Sequence, residues 1–184
     1  MFPEGYIYPK ADRGIRDLFR KRSQLVQQKT SNGLSIQHLV ARNTGVSIQG
    51  NRIKQWQRDE VASLMPEEER ALAVESTLVV MQGLAEQVTV VERAVKERVK
   101  RRPAFRLLLT VSGIGDILAL PIMLETGDMR RFERVGNFAS YCRCVDSQKR
   151  SNGKRKGKGN TKNGHASLAW AFVEAANCAV RYNP

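Results

Sequence analysis

Between Val74 and Val99 the chain places apolar residues at helical spacing almost without a break. Val74, Leu78, Met81, Leu84, Val88, Val91, Val95 and Val99 step by 4, 3, 3, 4, 3, 4 and 4 residues. A helix brings such positions onto one face, and alternating threes and fours approach a heptad seam. Met65-Pro66-Glu67-Glu68-Glu69 announces its start. Proline suits the first helical position, and acidic residues complement the positive end of the helix dipole. Arg101-Arg102-Pro103 ends the pattern, since an internal proline lacks the N–H and clashes with the preceding turn. The spacing predicts a coiled-coil helix over 66–102, on the order of 50 Å long. Gly83 weakens it locally by about 1 kcal/mol relative to alanine. So long a seam needs a partner, either a helix of the same chain or a second copy.

The partner within the chain is visible upstream. The opening residues to Lys10, with Pro3, Pro9, Tyr6 and Tyr8, read as an extended lead-in. From Asp12, a plausible N-cap, Ile15, Leu18, Phe19, Arg22, Leu25 and Val26 recur at helical spacing, and apolar content continues to about Arg42. Asn32-Gly33 is a candidate interruption. Arg13, Arg16, Arg20, Lys21 and Arg22 crowd this helix; spacing leaves open whether they face solvent or phosphate. Residues 43–52 are turn-rich. After Pro103, short helices are predicted over 104–111, 116–125, 133–142 and 166–181. No segment alternates as a strand does. The expectation is an all-α protein in three parts: a helical segment 1–65, a coiled-coil helix 66–102, and a small helical domain 103–184.

Charge narrows the partners. The net charge is +13, from 31 Lys+Arg against 18 Asp+Glu, which favours nucleic acid or an anionic membrane surface. No apolar run approaches the ~20 residues of a membrane span, and MFPEGYIYPK lacks the pattern of a signal peptide. Three cysteines, Cys142, Cys144 and Cys178, with His38 and His165, do not make a zinc spacing. Buried or inert thiols in a reducing cytosol are expected.

Two stretches carry the functional signal. VSGIGDILAL, Val111 to Leu120, matches the turn of a helix-hairpin-helix element. Gly113 and Gly115 would permit positive φ and close backbone approach. Ile114 would pin the turn to the core, and Ala119 would leave room for the first helix. Backbone N–H groups at the second helix would hold a phosphate without reading base sequence. The second stretch, Arg143 to Gly164, holds Arg143, Lys149, Arg150, Lys154, Arg155, Lys156, Lys158 and Lys162 against Asp146, with four glycines. A pliable cationic loop of this kind would bind phosphates by counterion release, although a solvated linker has the same composition. Ser151 stands near its middle, before Asn152-Gly153-Lys154. A serine attacks a phosphodiester when its proton is removed and cations hold the transition-state charge, and Lys154 and Arg155 are the candidate cations.

GYIYPKADRGIRDLFRKRSQLVQQKT, LVARNTG, GNRIK, LLLTVSGIGDILALPIMLETGDMRRFERVGNFASYCRCV, SNGKRKGKGNTKNG and LAWAFVEAANCAVRY together resemble the bacterial insertion-sequence-110 transposases. The block running from GIG through E.GD..RF to SY, followed by S-x-G-K, is specific to them. The resemblance implies a DNA recombinase that pairs a RuvC-like domain of four carboxylates with a helical domain carrying a nucleophilic serine, joined by a coiled coil. It places Ser151 on that serine, and Gly113 and Gly115 on the hairpin. It implies divalent metal such as Mg in the RuvC-like domain. The implied partners are DNA, an element-encoded guide RNA and a second copy through the coiled-coil helix, with no membrane and a cytoplasmic setting.

Two departures accompany the match. Asp146 and His165-Ala166-Ser167 stand where members more often carry a small residue and an Asn-led polar run. The carboxylates lie upstream of GYIYPK in the family, so the chain is expected to be an internal fragment, inactive alone. The competing expectation is a non-enzymatic helical protein that binds nucleic acid or joins coiled coils.

Overall fold

A computed structural model describes residues 5–145, 148–158 and 164–182. Its elements run α1 (Lys10–Thr44), α2 (Gly50–Ile53), α3 (Arg58–Leu64), α4 (Glu68–Val99), α5 (Pro103–Leu108), α6 (Asp116–Thr126), a 3₁₀ turn (Met129–Arg131), α7 (Val135–Tyr141), β1 (Gln148–Ser151), β2 (Lys154–Lys158) and α8 (Ala166–Tyr182). The all-α class holds, with one two-stranded sheet among the described residues. No helix among them is long and apolar enough to cross a membrane. The chain forms two compact units, one of residues 17–95 and one of residues 1–16 with 96–184.

In the 17–95 unit, α1 covers the seam of α4. Ile36 and Val40 of α1 share a core with Val74, Leu78 and Met81 of α4, joined by Ile48, Ile53, Trp56, Val61 and Met65 from the segment between the two helices. Arg22 pairs with Glu92 at 2.6 Å, and Gly33 lies beside Met81, so the two helices run antiparallel. The partner for the seam in this unit is therefore α1 itself. Asn32-Gly33 does not interrupt α1; a side chain at 33 would sit 3.5 Å from the Met81 sulfur, and the small residue sits at the crossing instead. Pro66 is not the first helical residue, because Glu67 accepts the first i→i+4 bond, from Ala71. It is Pro103 that opens a helix, α5, with Arg102 as N-cap.

The other unit is built around α6. Leu118, Ala119, Leu120, Pro121, Ile122 and Leu124 are all buried, and α6 packs on α8 and α5. Phe132, Phe138, Tyr141 and Phe172 stack edge-on or tilted at 5.2–5.9 Å, tying the 3₁₀ turn and α7 to α8. The extended Gly5–Pro9 strap lies on this unit: the Tyr8 hydroxyl donates to the Leu124 carbonyl, and the Asp128 N–H donates to the Tyr6 hydroxyl at 3.2 Å. Gly127 must be glycine here, since it has φ +65 and a Cβ would stand 2.7 Å from the Tyr6 hydroxyl.

The expected basic loop is partly ordered, which corrects the prediction that no segment forms a strand. β1 and β2 pair antiparallel through Asn152-Gly153. Both turn residues have positive φ, +53 and +72, as a two-residue type I′ hairpin requires. The cause is present in the sequence. Asn-Gly is the strongest short hairpin signal, and the composition of the flanking residues conceals it.

Candidate functional site

Ser151 is the last residue of β1 and pairs directly with Lys154, the first of β2. Directly opposed residues of an antiparallel pair project to the same face, so the side chains of Ser151 and Lys154 leave the backbone on one face at the tip. Ser151, Lys154 and Lys156 are exposed. Lys149, Arg150, Arg155 and Lys158 lie in the two strands by backbone, with Arg150 opposite Arg155; their side chains, and all of Lys162, lie outside the described residues.

At the root of this hairpin the outgoing and returning chains meet. The His165 N–H donates to the Tyr141 carbonyl at 2.7 Å, and Arg143 Nη2 donates to the Gly164 carbonyl at 3.0 Å. Gly164 has φ +83, and a Cβ there would be 2.6 Å from the Tyr141 carbonyl oxygen. His165 Nε2 in turn reaches Glu125 Oε2 at 3.1 Å, where Glu125 is 1% exposed. Arg16 Nε holds the same carboxylate oxygen at 2.7 Å and stacks over the Tyr8 ring at 4.4 Å. Burial pushes the Tyr8 phenol up to about 12. Arg131 lies over Tyr6, Phe132 and Tyr141 at 4.3–4.5 Å and donates to the Thr126 carbonyl at 3.2 Å. Sequence reasoning misses this network entirely. The signal available to it is an isolated Glu in an apolar helix, followed by Gly127 and Arg131.

The two hairpin-turn glycines have different surroundings. Gly113 has φ +85, and a Cβ there would lie 2.2 Å from the Ala175 carbonyl and 2.9 Å from the Ala179 nitrogen. Its face is filled by the backbone of α8. Gly115, the N-cap of α6, has extended backbone with φ −92, and a Cβ there would meet nothing within 4 Å. Ile114 and Ala119 are buried. Asp116 opens α6 and pairs with Lys96, so a carboxylate already stands at the positive end of that helix.

The basic crowd on α1 is used largely within the protein. Arg16 and Arg22 bind Glu125 and Glu92, and Arg13 donates to the Tyr8 carbonyl at 2.9 Å. Cys142 is buried, Cys144 exposed and Cys178 half-buried. Burial pushes the Cys142 thiol up to about 12, so at neutral pH it is an inert thiol. Among the described residues no three His, Cys, Asp or Glu side chains gather as a metal site.

These elements, from α5 to α8 with the hairpin between, coincide with a known family. Residues 105–184 match the Transposase IS116/IS110/IS902 family. The match agrees with the resemblance carried by the GIG, E.GD..RF and S-x-G-K residues. No curated protein matches the chain.

Proposed function

We propose that this chain handles DNA as part of an insertion-sequence transposase and presents Ser151 as the nucleophile at the tip of a basic hairpin. The transposase domain match supports the role. The observation that carries the chemistry is the direct pairing of Ser151 with Lys154 across the Asn152-Gly153 turn. In the proposed step a bond forms between Ser151 Oγ and a backbone phosphorus while one phosphorus–oxygen bond to a sugar breaks. The serine proton passes to a base, the leaving oxygen takes up a proton, and the product is a phosphoserine ester. The Lys154 ammonium offsets the charge that builds on the phosphoryl oxygens. Lys156, with Lys149, Arg150, Arg155, Lys158 and Lys162, supplies salt-dependent affinity for the phosphate backbone.

The carboxylates that the resemblance implies belong to a RuvC-like part that none of the matched motifs covers. When bound there, a divalent metal would activate and stabilise phosphoryl oxygens. The described residues of this chain do not fit such a metal, since no three His, Cys, Asp or Glu side chains among them gather and the buried Glu125 carboxylate is held by Arg16 and His165. The chain alone is therefore proposed to bind DNA without cutting it. The same reading brings DNA, an element-encoded guide RNA and a second copy through α4 as partners, in the cytoplasm.

The test has two arms. Lys154→Ala with Lys156→Ala should flatten the salt dependence of duplex binding by about 2 units, at roughly 0.9 for each phosphate that is no longer neutralised. An unchanged slope would remove the hairpin from the interface. In the second arm, denatured protein is run with labelled DNA. The chain alone should give no covalent adduct. Supplied with a carboxylate-bearing RuvC-like part, it should give one that Ser151→Ala abolishes and Ser147→Ala does not. An adduct that survives Ser151→Ala refutes the assignment of the nucleophile.

A further inference from the structure

The Ser151 hairpin leaves the helical domain at one point, and that point is tied to a buried charge. His165 is where the returning chain rejoins the domain, immediately before α8. Its backbone N–H is bonded to Tyr141, the last residue of α7 before the chain departs, and Gly164 is pressed against the same carbonyl. On the imidazole, Nδ1 is buried with no hydrogen-bond partner among the described residues. The orientation of the ring therefore rests on Nε2, which lies 3.1 Å from Glu125 Oε2, and on the neighbouring Tyr141 ring at 5.8 Å. A carboxylate that is 1% exposed is stable as an anion only when it is paired, and Arg16 provides that pairing from the start of α1. Arg16 is itself stacked on Tyr8, whose hydroxyl is bonded to Leu124, the neighbour of Glu125. Strap, buried acid and hairpin root form one connected network within a single compact unit.

We propose that Glu125 is a positioning residue for the Ser151 hairpin: held by Arg16, it fixes His165, and His165 fixes where the two hairpin chains leave the domain. The proposal rests on the reading of the hairpin as the DNA-handling element. It adds that the tyrosine strap and the hairpin are coupled. Loosening Arg16 should thus disturb the hairpin root much as loosening Glu125 does, although Arg16 lies on α1 and is linked to the root through the Glu125 carboxylate.

Amide hydrogen exchange on the full chain is the direct test, with Glu125→Gln as the first variant and Arg16→Lys as the second, which keeps the positive charge and serves if the first does not fold. Exchange of the His165 amide should rise about tenfold or more in either variant, while amides in the middle of α6 and α8, such as Leu120 and Ala171, stay protected. Affinity for a duplex oligonucleotide should fall in the same variants. Unchanged exchange at His165 overturns the proposal. So does uniform acceleration across the unit, which would make Glu125 a structural residue only. Opening of the root without loss of affinity also overturns it, provided that Lys154→Ala does weaken binding in the otherwise unaltered protein. If Lys154→Ala leaves affinity unchanged, the DNA reading of the hairpin fails, and the exchange measurements still decide whether Glu125 sets the root.

Discussion

Replacing the two turn glycines one at a time separates packing from contact with DNA. Gly113→Ala meets two costs. At φ +85 an L-residue sits in the left-handed region, at about 1–2 kcal/mol. Its Cβ would also lie 2.2 Å from a backbone oxygen of α8, and the atoms it strikes belong to a helix that cannot rotate aside as a side chain can. Moving a packed backbone costs about 1–3 kcal/mol. The sum is about 2–5 kcal/mol, which at roughly 2–4 °C per kcal/mol for a chain of this size lowers the melting temperature by roughly 4–20 °C. Gly115→Ala meets neither cost, since its φ is −92 and the space is open. It loses only the preference for glycine over alanine at an N-cap, about 0.5–1 kcal/mol. Thermal unfolding followed by circular dichroism in the helical band measures both. The folded Gly115→Ala protein then tests the interface: a methyl on the open side of the turn should weaken duplex binding at fixed salt if phosphate approaches the backbone there. Equal melting temperatures for the two variants would refute the packing argument. A stable Gly115→Ala protein with unaltered affinity would show that this side of the turn does not meet phosphate.

Alkaline pH should destabilise the unit that contains the strap. Tyr8 and Cys142 both have folded-state pKa values of about 12, raised by burial from ordinary values of 10.0 and 9.0. Their contribution is therefore complete below about pH 9 and is lost as pH rises toward 12, because the unfolded chain releases those protons first. Urea midpoints measured from about pH 8 upward should fall, and Tyr8→Phe should reduce the fall above about pH 10; a flat profile would contradict the burial. The thiols should separate by environment: brief iodoacetamide treatment of the native chain should label exposed Cys144 and leave buried Cys142 unlabelled by mass spectrometry, whereas equal labelling would contradict the packing of Cys142.

Where one physical signal dominates, the sequence announces the structure. The seam from Val74 to Val99 is such a place, because eight apolar residues on one face admit no competing arrangement. Val74, Leu78, Met81, Val88, Val95 and Val99 are indeed buried. What periodicity does not specify is what covers the seam, because burial on a neighbouring helix and burial on a second copy impose the same pattern. The hairpin shows a different failure. Strand recognition relies on apolar alternation, and Gln148-Lys149-Arg150-Ser151 has none, so its order comes from two residues with positive φ. The basic residues of α1 show a third. Arg16 and Arg22 look like solvent-facing charge in one dimension, yet their partners lie 109 and 70 residues away, and no local rule reaches that far. Composition treats the thiols as one class, buried or inert, but only Cys142 is buried.

The residues that make the family resemblance most specific have mainly architectural roles. Glu125 holds Arg16 and His165. Gly127 makes room for Tyr6. Asp128 caps the 3₁₀ turn by accepting from the Arg130 N–H. Arg131, Phe132 and Tyr141 stack together. Each of these interactions shapes the same small region, where strap, α6, α7 and the chain before α8 converge on Glu125 and Arg131. A motif of this kind is legible as architecture, because each member holds a neighbour in place whether or not the domain carries out chemistry. The chemical reading therefore depends on a much smaller set of atoms, the Ser151 hydroxyl and the ammonium of Lys154, the residue paired with it. This separation makes the two readings independently testable. Substitutions at Glu125 should open the hairpin root while the middle of α6 and α8 stays protected, and substitution of Gly127 should displace Tyr6. Ser151→Ala, at an exposed strand end, should leave stability within about 0.5 kcal/mol and remove only the covalent step proposed for the chain supplied with a RuvC-like part.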